Sequence, residues 1–375
     1  AAVATSGDYQ RFLAVLVVAT PCPLILAPPI AIIGGINRAA RRQIIVRNGA
    51  AVERLATADV AMLDKTGTLT VGKPVVHSVV PHPPFLRADV LRLAGAVEQG
   101  AAHLLARTLT AAAKAENASL PPVRDVVESP GRGVTGKVGD DTVMVGSHGF
   151  IAEQLAGNTG DSILTDPSIG LKAYVAINGR FAGVVSYDEQ LRNDVPAILA
   201  DLQSLGIRRT LLLSGDHEDN ARAIADTLGI ADVQGDMKPD DKVAVVKELT
   251  AAGDRVLMVG DGTNDAPALS AATVGIALAG HGGGVTAEAA DLVILIDELN
   301  RVPEAIRISR RSMKIARESV WAGLGLSGIA MLFAAAGRIA PVPGALLQEV
   351  IDVAVILNAL RASAGPRRPG QRPSR

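Results

Sequence analysis

The chain has 375 residues, and its 37 Lys and Arg nearly balance 38 Asp and Glu for a formal net charge of −1. That length has room for about two or three domains, and the totals lack the basic excess expected of a nucleic-acid-binding protein. A single cysteine, Cys22, excludes an internal disulfide and a zinc-finger spacing, while a mean hydropathy of +0.28 with only 2% aromatic residues points to aliphatic membrane segments.

The chain opens on Ala1 rather than Met, and its first apolar run starts too late and is too long for a signal-peptide core. The expectation is therefore a piece of a longer protein. Phe12 to Ile36 carries no charge and exceeds the ~20 residues a helix needs to cross a hydrocarbon core; the membrane segment is placed at residues 11–37. Pro21, Pro23, Pro28 and Pro29 remove backbone donors and are expected to break this helix at membrane depth. Such a break is tolerated where protein or a polar cavity satisfies the freed carbonyls. Cys22, between two of those prolines, reads either as a small packed hydrophobe or as a soft metal ligand.

A polar body with alternating strand and helix signals follows. The short apolar runs Val60 to Leu63, Thr210 to Leu213 and Val256 to Val259 each end in a Gly, Asp or Ser turn, as buried parallel strands do. Helical patterns at Val195 to Ser204, Asn220 to Leu228 and Asp240 to Ala251 alternate with them. The fold class is α/β: a doubly wound domain of residues 47–76 and 187–300, interrupted by an inserted α+β domain at 77–186 whose start, Pro81-His-Pro-Pro84, is expected to act as a hinge.

Ser319 to Gly337 and Gly344 to Leu360 are two further apolar runs joined by a tight turn, a membrane hairpin placed at 312–361. Gln348, Glu349, Asp352 and Asn358 carry polar groups into the last run. Glu349 and Asp352, three apart, are expected on one helical face, either holding a transported ion or hydrogen-bonding within the bundle. Arg38, Arg41, Arg42 and Arg47, then Arg310, Arg311, Lys314 and Arg317, then Arg361, Arg367 and Arg368 all fall on the same side of these segments, which the positive-inside rule makes cytoplasmic. The Pro/Arg-rich tail, 362–375, is expected to be disordered.

Chemistry concentrates at the strand ends. Asp64-Lys-Thr-Gly-Thr-Leu-Thr70 sets a carboxylate just past a buried strand, where ligands bind in open α/β sheets, and Gly67 lets backbone amides approach a phosphoryl group. Asp64 can attack the γ-phosphorus of ATP to form an acyl phosphate. Ser214 offers a hydroxyl to a phosphoryl oxygen, Lys242 offsets its charge, and Asp261 and Asp265 are hard oxygen ligands suited to Mg²⁺.

Asp-Lys-Thr-Gly-Thr-Leu-Thr at 64 to 70, together with Gly-Asp-Gly-Thr-Asn-Asp-Ala-Pro at 260 to 267, resembles the P-type ATPases of the haloacid dehalogenase superfamily. The resemblance implies that Asp64 is phosphorylated, that Asp64, the Thr66 carbonyl, Asp261 and Asp265 hold Mg²⁺, and that Lys65, Thr66, Ser214, Gly215, Asp216, Lys242 and Asn264 complete the catalytic set. The family usually has Thr where Ser214 stands. Phosphatases of the superfamily carry a second Asp at the position of Thr66 as general acid/base, and its absence is expected to prolong the acyl phosphate.

The inserted domain resembles the nucleotide-binding domain of the heavy-metal branch, which implies ATP contacts from Glu98, His103, Gly131 and Gly133; the branch normally has Pro where Leu104 follows His103. Thr20-Pro-Cys-Pro23 sits where that branch has its membrane metal motif, and with Glu349 and Asp352 implies a site for a transition-metal cation. The implied protein is an ATP-driven metal pump in the plasma membrane with cytoplasmic catalytic domains. A potassium-type P-type ATPase subunit and a soluble haloacid dehalogenase phosphatase are the alternatives. The family's actuator domain carries a Thr-Gly-Glu loop that the sequence lacks, so that domain and further helices are expected upstream.

Overall fold

The computed structural model describes residues 9–20, 22–101, 103–116, 119–155, 171–261, 263–278 and 288–364. Pro21, Gly262 and residues 365–375 of the tail lie outside the described residues. Helices α1 (Tyr9–Val18) and α2 (Cys22–Ala40) lead through β1 (Ile44–Val46) and α3 (Gly49–Thr57) into β2 (Val60–Asp64). Then come β3 (Thr70–Pro81), α4 (Arg87–Val97), α5 (Leu104–Ala115), β4 (Val123–Ser129), β5 (Gly133–Val138), β6 (Asp141–Gly146), α6 (His148–Leu155), β7 (Lys172–Ile177) and β8 (Arg180–Leu191). The chain continues with α7 (Val195–Ser204), β9 (Arg209–Leu213), α8 (Glu218–Leu228), β10 (Asp232–Gln234), α9 (Pro239–Ala251), β11 (Val256–Gly260), α10 (Ala266–Ala271), β12 (Val274–Leu278) and β13 (Leu292–Ile294). Two long helices close it, α11 (Arg301–Ala335) and α12 (Pro341–Ala359).

These elements form two compact units: Ala1–Thr68, Asn193–Leu213 and Ala223–Arg375 make the first, and Leu69–Arg192 with Ser214–Arg222 the second. The first is built on a seven-stranded sheet in the order β1-β13-β12-β11-β2-β9-β10, parallel throughout except for the β1–β13 pair. Every residue of β2, β11 and β12 is buried. A parallel strand covered on both faces has no solvent side, so its sequence runs apolar without alternation. Val60, Met62, Leu211, Leu213, Val256 and Met258 interlock under α9 and α10 in one core.

The second unit is an antiparallel six-stranded sheet, β3-β8-β7-β6-β5-β4. Val90, Leu91, Val97 and Leu109 of α4 and α5 pack on Val134, Val143, Val145 and Val175 of its inner face. It is wider than the 77–186 expected. β3 pairs with β8 from Thr70↔Leu191 to Pro81↔Gly183, so boundaries at 76 and 187 would cut two paired strands. Pro81 closes a strand rather than forming a hinge, and α4 begins shortly after Pro84.

Among the described residues three segments are long and apolar enough to cross a membrane: Tyr9–Ala40, Arg301–Ala335 and Pro341–Ala362. Among the described residues the first departs from helix at 19 and 20, between α1 and α2, where Thr20 Oγ1 donates to the Val17 carbonyl at 3.1 Å. The expected interruption at Pro28 and Pro29 does not occur: both lie inside α2, where they deprive the Leu24 and Ile25 carbonyls of donors without ending the helix. Pro23 sits in the first turn, where a missing N–H costs nothing.

The hairpin has clear local causes. Gly337, at φ +74°, ends α11 with the Arg338 N–H donating to the Phe333 carbonyl at 3.0 Å, a Schellman closure, and Pro341 opens α12. Along α11 the small residues Ser312, Ala316, Ser319, Gly323, Ser327, Ala330 and Ala334 form a buried stripe, the device that lets membrane helices approach closely. A Cβ on Gly323 would collide with Pro23 and lie 2.9 Å from Val355 Cγ2, and one on Gly35 would collide with Ser312 Oγ. α2, α11 and α12 therefore meet at the level of Pro23.

Candidate functional site

β2 and β11 are parallel neighbours, with Leu63 opposite Val259, so their C-terminal ends deliver Asp64 and the 261–265 segment to the same place. Pro239 starts α9, and the Asp241 carboxylate accepts from the Lys238 N–H at 2.9 Å; this capped first turn carries Lys242. Its Nζ donates to Asp64 Oδ1 and, at 2.7 Å, to Asp265 Oδ1. All three side chains are at most 8% exposed.

Asp64, Asp261 and Asp265 offer ligand oxygens all within 4.8 Å of one another. Burial pushes the Asp64 carboxyl up to about 7; Asp265 and, more weakly, Asp261 add to the rise, and Lys242 opposes it. Burial alone would lower the Lys242 ammonium, but Asp64 and Asp265 together hold it above its ordinary value. Three carboxylates this close supply hard oxygen donors in a number that suits Mg²⁺. Two glycines permit the crowding. At Gly67, φ +68°, a Cβ would collide with the Asp261 carboxylate, and at Gly260 it would lie 2.5 Å from Asp265 Oδ2.

The remaining residues of this set are distributed as follows. Lys65 is 3% exposed, whereas Thr66 and Asn264 are exposed. Ser214 is buried and follows Leu213, the register partner of Asp64; its Oγ accepts from the Asp216 N–H at 3.0 Å, with Gly215 between them. Ser214, Gly215 and Asp216 group with the second unit, while Asp64, Lys242, Asp261 and Asp265 belong to the first.

In the second unit His103 is the N-cap of α5, its Nδ1 accepting from the Ala106 N–H at 3.1 Å. Leu104 is thus the first helical residue, where proline is favoured but not required. His103 Nε2 lies 3.5 Å from Glu98 Oε2, and that oxygen makes no hydrogen bond among the described residues. Glu98 is 4% exposed, and burial, reinforced by Glu128, pushes its carboxyl up to about 7. The buried Tyr187 hydroxyl is also without a hydrogen bond among the described residues, and burial followed by Glu98 raises it. Neither Tyr187 nor Glu128 stands out in the sequence; a buried acid lacking a donor is visible only in three dimensions. Gly131, at φ +72°, has open space where a Cβ would be, while Gly133 is required by packing, since a Cβ there would lie 2.5 Å from the Val145 carbonyl oxygen.

In the membrane hairpin, Ser327 Oγ donates to Gln348 Oε1 at 3.1 Å and Gln348 Nε2 donates to Asp352 Oδ1 at 3.0 Å. Asn358 Nδ2 donates to Ser319 Oγ at 2.8 Å. Glu349 does not share this buried face. The stripe on α12 is Gly344, Gln348, Ile351, Asp352, Val355 and Ala359, and Glu349, one residue out of that register, is exposed. Cys22 is half-buried at the first position of α2, next to Pro23. The role of Gln348 in orienting Asp352 is not legible from its side chain alone; the signal is the small-residue stripe that places Ser327 opposite it.

Residues 58–273 match the haloacid dehalogenase-like hydrolase family. The manganese-exporting P-type ATPase of Mycobacterium leprae is 34% identical over 364 residues, 96% of this chain and 50% of the relative. The zinc-exporting P-type ATPase of Mycobacterium marinum is 32% identical over 95% of this chain and 49% of its own length, and the copper-exporting P-type ATPase of Bacillus subtilis 33% over 96% and 45%. The chain thus spans about half the length of the curated relatives it matches. Among solved structures, a zinc-transporting PIB-type ATPase in its E2.Pi state aligns with a TM-score of 0.76 and 32% identity, covering 92% of this chain and 56% of that one.

A carboxyl raised from 4.5 to about 7 keeps its proton in the folded state where the unfolded chain has lost it. The folded state then binds more protons across that window, so stability falls as pH rises from about 4.5 to about 7. Glu98→Gln is expected to remove up to about 3 kcal/mol of this pH dependence, read as the pH profile of hydrogen exchange in α4 and β5. A profile identical to that of the unchanged protein would mean that Glu98 titrates normally.

Proposed function

The chain belongs to the haloacid dehalogenase-like hydrolases and, among them, to the metal-transporting P-type ATPases, and from that premise we propose that it carries the ATP-hydrolysing centre and last membrane helices of a pump that moves a transition-metal cation through a phosphate on Asp64. The observation that carries the reading is Lys242, clamped between Asp64 and Asp265 beside Asp261 at the ends of two adjacent parallel strands.

A carboxylate oxygen of Asp64 attacks the γ-phosphorus of ATP; an O–P bond forms, the β–γ bridging bond breaks, and ADP leaves with the electron pair. Asp64, Asp261, Asp265 and the Thr66 carbonyl would hold Mg²⁺, which supplies charge neutralisation at the phosphoryl oxygens when bound. Lys242 offsets the same charge, and the Ser214 hydroxyl, Lys65 and Asn264, with the Gly215–Asp216 turn, orient the transferred group. Glu98 and His103 contact the base of ATP in the second unit, with Gly131 leaving the adjoining turn open. Thr66 is exposed and has no acidic proton, so nothing at that position activates water against the acyl phosphate. This favours a pump over a phosphatase, as do the three candidate membrane segments. Turnover of the intermediate then falls to a further domain bearing the Thr-Gly-Glu loop.

The transported ion is placed near the break between α1 and α2. Cys22 adjoins Pro23, which packs at Gly323, close to Val355 and thus about one turn along α12 from Asp352. Gln348 occupies Asp352 Oδ1 and leaves Oδ2 for the ion. A thiolate with a carboxylate favours a borderline divalent cation over Cu⁺, which prefers a second soft ligand. That donor set also disfavours a potassium-type pump, as do the metal names of the relatives. The basic residues around Arg42, Lys314 and Arg361 favour a cytoplasmic catalytic body on a plasma-membrane protein.

Asp64→Asn is expected to abolish acid-stable phosphate incorporation from ATP, because an amide is not a nucleophile; labelling that survives the change would refute the assignment. His103→Ala should raise the ATP concentration needed for half-maximal phosphorylation several-fold while the level at saturation holds, and an unchanged ATP dependence would move the base-binding site elsewhere. In the full-length pump, Cys22→Ala and Asp352→Ala should each eliminate metal-stimulated ATP hydrolysis yet leave phosphorylation from inorganic phosphate intact. Normal stimulation in both variants would dispose of the membrane site.

A further inference from the structure

Helix α11 has two opposed faces. The buried small-residue stripe runs through Ser312, Ala316, Ser319, Gly323 and Ser327. Two residues earlier in register, about 200° around a helix of 3.6 residues per turn, lie Arg310, Lys314, Arg317, Trp321, Gly325, Gly328 and Leu332. From Trp321 onward this second stripe is open among the described residues: Trp321 is 71% and Leu332 72% exposed, and a Cβ on Gly325 or Gly328 would meet nothing within 4 Å. Its cytoplasmic end forms a groove of about 530 Å³, lined by Arg310, Met313, Lys314, Arg317, Glu318 and Trp321, with Ala56 of α3 as the opposite wall.

The order along the stripe is chemically graded. Three cationic side chains come first. Arg310 donates one N–H to the Ala58 carbonyl at 2.8 Å and its Nε is buried, so it contributes charge from the floor of the groove while Lys314 and Arg317 are exposed. Lys314 is 4.0 Å from Glu318, too loose to consume its charge. Trp321 follows, of a residue type that anchors helices at the membrane–water boundary, and then two glycines leave a shallow channel along the apolar length, ending at Leu332.

We infer that this face of α11 binds an anionic phospholipid, its phosphate between Arg310, Lys314 and Arg317, its glycerol against Trp321, and one acyl chain lying over Gly325 and Gly328. Charge complementarity selects the lipid. A zwitterionic headgroup would bring its own ammonium into a cationic groove, and a soluble anion would leave the glycine channel unused. A protein helix would be held there mainly by packing, with no use for the three cations. The inference concerns a surface on the face of α11 opposite the transport face and does not depend on the proposed cargo.

Trp321 is the single tryptophan of the chain, so its fluorescence reports the groove directly. The chain, reconstituted in phosphatidylcholine nanodiscs, is titrated with phosphatidylglycerol or phosphatidylcholine brominated on the acyl chains; in longer forms, the Trp321→Phe variant supplies the background to subtract. Brominated phosphatidylglycerol is expected to quench several-fold more per mole than brominated phosphatidylcholine. The variant carrying Lys314→Ala and Arg317→Ala should bring the ratio to about one, and Gly325→Leu should weaken quenching by phosphatidylglycerol. Arg361→Ala, which removes a cation at the cytoplasmic end of α12, should leave the preference intact. Equal quenching by the two lipids, or an equal loss of preference on Arg361→Ala, would reduce the effect to diffuse membrane charge and overturn the site. Loss of the preference on adding inorganic phosphate would assign the groove to a soluble anion instead. Absence of quenching by either lipid would mean that protein covers this face.

Discussion

Everything at the head of the parallel sheet depends on keeping three carboxylates within 4.8 Å of one another, two of them hydrogen-bonded to one buried ammonium. Like charges that close disfavour ionisation, whereas the proposed attack by Asp64 on phosphorus calls for an ionised carboxylate. Lys242 resolves part of this conflict by bridging Asp64 and Asp265, and the bridge is possible because a proline-started, capped turn presents the ammonium at that spot. The clustered carboxylate oxygens suit a hard divalent cation. The glycines at 67 and 260 are structural corollaries: they remove the Cβ atoms that would keep the acids apart.

The parallel sheet was legible because its central strands are covered on both faces. Val60 to Leu63, Thr210 to Leu213 and Val256 to Val259 read as uninterrupted apolar runs, and each appears as a strand with its acid or hydroxyl at the C-terminal end. β3 was not legible. Its pairing with β8 shifts register between Thr70 and Pro74 and again between Val76 and Ser78, so the alternation that marks a half-buried strand is broken twice. The edges of the second unit were accordingly drawn too far inside it.

The acids and the lysine that meet at the sheet's C-terminal edge could be singled out because they sit in short contiguous motifs, whereas the membrane polar groups depend on helical phase. Glu349 and Asp352 are about 60° apart around the axis, enough for one to be exposed and the other buried. Gln348, a full turn from Asp352, is its partner instead. A sequence names the acids in such a helix, but the neighbouring helix decides which of them is inside. Similarly, four prolines in one segment suggest several breaks, while among the described residues of that segment only 19 and 20 depart from helix, because Pro28 and Pro29 are carried within packed α2.

α11 is one uninterrupted helix of 35 residues, about 52 Å from end to end. Its N-terminal end is pinned to the surroundings of the parallel sheet by Arg310 on the Ala58 carbonyl, Arg307 on Asp201 and Glu304 on Arg42, and its single proline, Pro303, lies in the first turn. A continuous hydrogen-bonded helix couples its two ends mechanically, so roll imposed at the pinned end is carried towards Gly323 and Ser327. Bending, by contrast, can be absorbed where Gly323, Gly325 and the Ser327-Gly328 pair fall, which is the level at which α11 packs on Pro23 and bonds to Gln348.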